Sequence, residues 1–358
     1  MEYAMIMAGG AGTRLWPMSR QEQPKQLIPF IGGQCLLEIA AGRLDGIVPE
    51  ERRLICTGEA FREPIAARLK AFTDEQILGE PEGRDTVNAI GLTAAVLSKR
   101  DPEAAFAVLT ADHLIEPQER FKAALQTGFQ LVAEDPRRLI TFGITPTHPA
   151  TGYGYVELGQ PVGDGDARET VQFVEKPDES TAQRYLDSGN FLWNSGMFIF
   201  SAAGFMEALD AYLPEAAAGL NAIADAWGGP DQISVLERIY PTLPKISVDY
   251  AIMEPASKDD ARPVCTVPMD IQWLDVGSWT SYGETLAPDE EGCRSNAESF
   301  HVGSHNVLAV SENPHHVIAT VGCRDLVIIH TDKVTMICPA NEAQRVKDLA
   351  NAAPDSLR

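Results

Sequence analysis

The sequence predicts an α/β chain in two parts, a doubly wound and mainly parallel sheet up to about residue 288 and a small all-β stack after it. Three observations carry this. Short, wholly apolar runs alternate with runs of helical spacing from residue 3 to residue 144, as when strands are buried on both faces under helices. The first of these runs leads straight into a glycine-rich segment, Gly9-Gly10-Ala11-Gly12-Thr13-Arg14. Beyond Pro288, short strand-like runs recur at near-even spacing, with Gly303 and Gly322 among the turns.

The elements follow in order. Residues 3–8 are apolar throughout and read as a central parallel strand. Further strands are expected at 53–57, 76–80, 105–110 and 139–144, with helices at 36–44, 61–71, 86–99 and 120–133. Asp85-Thr86 has the composition of a helix start. Residues 152–156 and 170–174 read as exposed or antiparallel strands around a polar linker at 163–168. A helix at 181–187, a strand at 194–201, helices at 203–212 and 216–226, and runs at 262–268 and 272–276 complete the larger part. The stack after residue 288 comprises runs at 297–301, 306–310, 316–320, 326–330 and 334–338, then a terminal helix at 341–350. So small a unit has edges that a second copy of the chain could close, so a homodimer is expected.

Composition excludes several classes. The formal charge of -22 at pH 7 repels nucleic acid and anionic lipid at long range. A small phosphorylated substrate is still permitted, because a local Arg/Lys cluster outweighs a distant field. No apolar stretch is long enough for a membrane span, and no leader is apparent. The cysteines at 35, 56, 265, 293, 323 and 338 form no C-x-x-C pair, which suits reduced thiols in a cytoplasmic protein.

The glycine-rich segment can cradle phosphate oxygens with consecutive backbone N–H groups. Gly9, Gly10 and Gly12 permit close backbone approach, and Arg14, Arg20 and Lys25 concentrate positive charge there. The spacing is neither a Walker A loop nor a dinucleotide fingerprint. A plain tight turn is the competing reading. Asp112 follows the buried run 105–110, and Asp275 follows another apolar run. Two carboxylates from separate strand ends suit a divalent cation. The alternative is that Asp112 caps a turn and Asp275 caps a helix starting near Ser278. His113 reads as a supporting or packing residue, and His315 and His316 as surface or turn residues.

Residues 9–26, GGAGTRLWPMSRQEQPKQ, resemble the signature of the mannose-1-phosphate guanylyltransferases, which are nucleotide-sugar pyrophosphorylases. Further matches follow in order: Glu80 with Arg84-Asp85-Thr86, then LTADH at 109–113, GYGY at 152–155 and FVEKP at 173–177. WNSGMF at 193–198, SVDYAIME at 247–254 and DVGSW at 275–279 complete the set. The resemblance implies a Rossmann-like nucleotidyltransferase domain over 1–288 and a short left-handed β-helix with a C-terminal helix over 289–358. It implies conversion of GTP and α-D-mannose 1-phosphate to GDP-mannose and diphosphate, with Mg²⁺. Gly9, Gly10, Gly12, Thr13 and Arg14 would hold the nucleotide phosphates, and Lys25 would stabilise charge on the departing diphosphate. Glu80, Arg84, Asp85 and Thr86 would lie near base and ribose. Gly154, Glu175 and Asn194 would hold sugar hydroxyls, Lys176 the sugar phosphate, and Asp112 and Asp275 the metal.

Two positions depart from the family pattern. Thr110 stands where proline is frequent, and Asp85 where asparagine is, which puts base recognition in question. The longer members carry an isomerase domain beyond this length, so that second activity is expected to be absent. The implied chemistry is in-line attack by an already ionised phosphate. It needs positioning and charge neutralisation rather than a general base. Alternatives are the same transfer with UTP or dTTP and glucose 1-phosphate, or GTP and a heptose 1-phosphate. A non-catalytic sugar-nucleotide-binding protein is the reading from another class.

Overall fold

The computed structural model describes every residue of the chain except Ala11, Gln21, Glu22, Asp164 and Arg358. Three positions of the glycine-rich signature and one of the predicted linker therefore lie outside the described residues. The chain divides into two compact units. The first takes Met1–Gly9, Ala40–Ala111 and Ile115–Trp273, and the second takes Gly10–Ile39, Asp112–Leu114 and Leu274–Arg358.

The strands run in order β1 (Glu2–Met7), β2 (Arg53–Gly58), β3 (Ile77–Glu80), β4 (Ala105–Thr110), β5 (His113–Glu116), β6 (Leu139–Ile144), β7 (Tyr155–Pro161), β8 (Arg168–Val174), β9 (Phe191–Ser201), β10 (Val264–Met269) and β11 (Gln272–Asp275). Among the described residues the first unit holds a nine-stranded sheet of order β3-β2-β1-β4-β9-β6-β10-β8-β7. β5 pairs separately with β11. In β1, Ala4, Met5 and Ile6 are fully buried because β2 and β4 flank it in parallel and both faces are covered. β9 is the break in that pattern, since it runs antiparallel to both β4 and β6. The sheet is therefore mixed, with the parallel part at β3-β2-β1-β4 and between β6 and β10.

The helix Thr86–Arg100 is buried from Val87 to Leu97. Its small residues let neighbours approach closely. A Cβ on Gly91 would stand 2.6 Å from Leu220 Cδ1, in the helix Pro214–Ala226, so this glycine sets the helix spacing. The helix begins at Asp85, whose φ of 66° and ψ of 179° lie where glycine is at ease and other residues are strained. Asp85 Oδ1 accepts from the Thr86 amide at 2.8 Å, a local hydrogen bond that helps hold this conformation.

The second unit contains β12 (Arg294–Ser295), β13 (Ser299–Val302), β14 (Leu308–Ser311), β15 (Ile318–Val321), β16 (Leu326–His330) and β17 (Thr335–Pro339). β12, β14 and β16 stack in parallel, as do β13 and β15, and β17 closes antiparallel on β16. Ser299 faces Ile318, His305 bridges to Arg324 and Leu308 faces Val327, so these strands and corner share one offset, while the first turn, from Arg294 to Leu308, is shorter. The corners repeat as well. Asn306 and Asp325 both have positive φ, and Asn306 Nδ2 donates to Asp325 Oδ1 at 3.1 Å. The evenly spaced runs are the strands of the all-β stack they suggested, and the stack is the β-helix that the family resemblance implies. Of the two histidines read as surface or turn residues, His316 stacks its ring on His330 at 3.7 Å between centroids. The terminal segment opens as a 3-10 turn, Ala340–Arg345, before the α-helix Val346–Ala352.

Residues 10–39 belong to this second unit's core rather than to the sheet. Leu15, Trp16, Met18, Ile28 and Phe30 pack with Trp279, Tyr282, Leu308, Ile329 and Val346. Trp279 Nε1 donates to the Trp16 carbonyl and Trp16 Nε1 to the Leu357 carbonyl, each at 2.8 Å. The segment that follows the glycine turn is thus held by residues more than 250 positions away in sequence.

Candidate active site

In the second unit the glycine-rich segment makes a tight 3-10 turn, Thr13–Leu15. Gly10 and Gly12 have φ of 93° and 60°, as a phosphate cradle requires. Gly9 differs, since positive φ is confined to Gly10 and Gly12 among the described glycines of this loop. It belongs to the first unit, where a Cβ on it would meet Glu80 Oε2 at an ordinary 3.9 Å. At Gly12 a Cβ would lie 2.6 Å from Ser19 Oγ and 2.7 Å from Lys25 Cβ. Glycine there is what lets the Lys25 stem pass behind the turn.

Lys25 reaches a buried ion pair with Asp112, with side-chain exposures of 11% and 20%. Burial alone would raise the Asp112 carboxyl, but the Lys25 ammonium, His113 and the Lys25 hydrogen bond hold it at about 2. Asp112 is therefore a carboxylate at any physiological pH. Its carbonyl accepts from the Val276 amide at 2.9 Å, which ties the two acidic segments together. One ligand atom each from Asp112, His113 and Asp275 lies within 4.8 Å of the others. Two carboxylates fit Mg²⁺, which prefers oxygen donors, and His113 then takes a supporting place. The helix after Asp275 is capped by Ser278, whose side chain accepts from the Ser281 amide, so Asp275 is not spent as a cap.

Arg14 Nη1 donates to Gln344 Oε1 at 3.4 Å, and its Nη2 would be 3.4 Å from a Cβ on Gly277. Asp275 Oδ1 would be 3.0 Å from that same Cβ, so Arg14 and Asp275 flank Gly277 together. Arg20 corrects the sequence reading. Its Nη2 pairs with Glu312 at 3.2 Å and Asp332 at 3.6 Å, and its Nε donates to the Pro17 carbonyl. Arg20 and Lys25 are thus both ion-paired with carboxylates, while Arg14 meets the neutral Gln344. A second cluster, Asp289, Cys293 and His301, also has ligand atoms within 4.8 Å of one another. Each member has a local partner: the Cys293 amide, the Ser304 carbonyl and the Thr320 hydroxyl respectively.

The first unit holds the other expected residues in two groups. Glu80, on edge strand β3, is buried, and Tyr240 donates to its Oε1 at 2.6 Å. Burial raises the Glu80 carboxyl, while the Tyr240 hydroxyl and the Arg84 amide work against that. Arg84 pairs with Glu82 at 3.3 Å, and its buried Nε has no partner among the described residues. Thr86 Oγ1 accepts from the Val248 amide at 2.9 Å, linking this group to the segment that carries Asp249.

The last group gathers Gly154, Glu175, Lys176 and Asn194. A Cβ on Gly154 would stand 2.5 Å from Glu175 Oε2 and 3.3 Å from Asn194 Cβ, so only glycine leaves that space open. Lys176 Nζ pairs with Glu175 Oε1 at 2.6 Å, and Lys176 itself has a φ of 46°. Tyr240 and Asp249 were given no role from sequence. Asp249 lay inside a motif read from the chain, but the carboxamide it meets is on Asn194, far away in sequence.

Comparison with known proteins agrees with this picture. Residues 3–292 match the nucleotidyl transferase family, and residues 298–351 match the mannose-phosphate isomerase/GMP-like β-helix domain. The chain is 38% identical over 356 residues to the mannose-1-phosphate guanylyltransferase of Escherichia coli strain K12, covering 96% of this chain and 72% of the relative. It is 35% identical over 353 residues to the xanthan biosynthesis protein XanB of Xanthomonas campestris pv. campestris, covering 97% and 72%. A Thermus thermophilus crystal structure, described as a mannose-1-phosphate geranyltransferase, superposes with a TM-score of 0.85 at 30% identity, covering 98% of each chain. With a matched nucleotidyl transferase domain, a matched β-helix and relatives this similar along nearly its whole length, the chain belongs to the mannose-1-phosphate guanylyltransferase family of nucleotidyltransferases.

Proposed function

We propose that the chain transfers a guanylyl group from GTP to α-D-mannose 1-phosphate, giving GDP-mannose and diphosphate. The observation that carries this reading is the buried Lys25–Asp112 pair beside Asp275, built against a glycine turn that only glycine can make. A phosphate oxygen of the sugar phosphate is already ionised and attacks the α-phosphorus in line with the departing diphosphate. The backbone at Gly10, Gly12 and Thr13, with Arg14, holds the triphosphate. Lys25 neutralises charge that builds on the leaving oxygen. Asp112 and Asp275 are the residues that would hold Mg²⁺, which when bound screens the phosphate charge. Gly9 also serves the nucleotide phosphates, Glu80 and Arg84 to Thr86 serve base and ribose, and Gly154, Glu175, Lys176 and Asn194 serve the sugar phosphate.

Diphosphate release, measured over a matrix of nucleoside triphosphates and sugar 1-phosphates with Mg²⁺, tests the reading. GTP with mannose 1-phosphate is expected to give the highest kcat/KM. Turnover confined to another pair would replace the substrates, and no turnover with any pair would favour a non-catalytic binding protein.

The proposed assembly is a homodimer. Phe300, Val302 and Val321 are exposed on β13 and β15, and an apolar face of this kind suits a second copy of the chain. Light scattering is expected to give twice the chain mass, and a single-chain mass would exclude it. The proposed compartment is the cytoplasm, which suits cysteines that are all unpaired. Among the described residues no helix is long and apolar enough to cross a membrane.

A further inference from the structure

Asn194 lies on β9 opposite Gly143, where the β6–β9 pairing shifts register. Such irregularities re-aim side chains next to functional sites. Its side chain is almost fully committed. Thr141 Oγ1 approaches Asn194 Oδ1 at 2.8 Å, and the Gly196 amide donates to the same oxygen at 3.2 Å. A backbone N–H can only donate, so the atom facing Gly196 is the carboxamide oxygen and the orientation of the amide is fixed. The nitrogen then points the other way, and Nδ2 donates to Asp249 Oδ1 at 2.9 Å. Of the four hydrogen-bonding positions on this side chain, one N–H remains.

Asp249 opens a π-helical turn, Asp249–Met253, a wider turn than the α-helix and frequent at functional sites. Its surroundings are costly for a carboxyl. Burial first, and then the Glu175 carboxylate, push it up to about 7 against the opposing effects of its own backbone amide, Lys176 and Ser247. A residue present only for packing would not need a second carboxyl beside Glu175.

We propose that Asp249 is a positioning residue for sugar recognition. By accepting from Asn194 it aims the last amide hydrogen at the ligand, so Asn194 serves the sugar only as a donor and Glu175 serves as the acceptor. This rests on the reading of Gly154, Glu175, Lys176 and Asn194 as the sugar-phosphate group.

The test compares Asp249→Ala, Asp249→Asn and Thr141→Val with the unaltered protein. Two readouts are taken: KM for each substrate, and calorimetric titration with mannose 1-phosphate alone. Asp249→Ala is expected to raise KM and Kd for mannose 1-phosphate about tenfold and to leave KM for GTP within about twofold. Asp249→Asn keeps an acceptor oxygen and should stay within about threefold. Thr141→Val removes one of the two donors to the amide oxygen and should raise the mannose 1-phosphate constants several-fold. An unchanged Kd in Asp249→Ala would overturn the role, as would equal shifts in both KM values. If Asp249→Ala fails to fold, an unchanged Kd in Thr141→Val overturns it. Lack of turnover by the unaltered protein counts against the proposed reaction, while the calorimetric comparison still judges Asp249. If the unaltered protein does not bind mannose 1-phosphate, both fall.

Discussion

Lys25→Ala is expected to lower kcat about 10²- to 10³-fold while KM for GTP moves by less than about threefold. The asymmetry follows from where the ammonium sits. In the structure Lys25 is already compensated by Asp112, so it adds little to ground-state binding. Its contribution grows only as negative charge accumulates on the departing diphosphate. Steady-state diphosphate release over a GTP series separates the two constants, and an unchanged kcat would remove Lys25 from the chemistry. The same variant carries a stability signature. Asp112 is held at about 2, below the ordinary carboxylate value near 3.9, so the pair contributes stability above the ordinary value. That contribution is lost as pH falls through about 2. The unfolding midpoint of Lys25→Ala should therefore lie below that of the unaltered protein near neutral pH, and the gap should close in strong acid.

Asp275→Ala is expected to cost about 10³-fold in kcat/KM, corresponding to several kcal/mol of lost charge stabilisation. Asp275 is the better of the two carboxylates to remove. Taking away Asp112 would also leave the Lys25 ammonium buried without its partner, so that loss of metal affinity and misplacement of Lys25 would be confounded. With Asp275→Ala the Lys25–Asp112 pair remains. Diphosphate release titrated with Mg²⁺ should show the requirement displaced to much higher concentration, with part of the loss recovered there. Full activity at ordinary Mg²⁺ would take Asp275 out of the metal's coordination.

The parallel strands were legible because burial on both faces writes itself as an unbroken apolar run, as in β1 and β4. The antiparallel course of β9 was not, since Phe191–Ser201 is equally apolar whichever way its neighbours run. The all-β stack was legible from its short runs and turn glycines, Gly303 and Gly322, which both take positive φ, whereas its coiling into a β-helix came only from the family resemblance. Among the candidate site residues, Gly12, Lys25, Asp112 and Asp275 stand out by residue type, and the structure brings them together in one unit. Arg20 looked identical in kind to Arg14. Only the fold shows that Glu312 and Asp332 neutralise it, a pairing across nearly the whole sequence. Tyr240 and Asp249 escaped for the same reason, since the meaning of each lies in a distant partner, Glu80 for one and Asn194 for the other.

The seating of residues 10–39 among residues 274–357 has a consequence for how the chain is made. A ribosome delivers the glycine turn first and its supporting core last. Until Trp279, Val346 and the Leu357 carbonyl have emerged, Trp16 has neither a cavity to fill nor an acceptor for its indole. The glycine turn therefore depends, for its hydrophobic support, on residues more than 250 positions further along the chain.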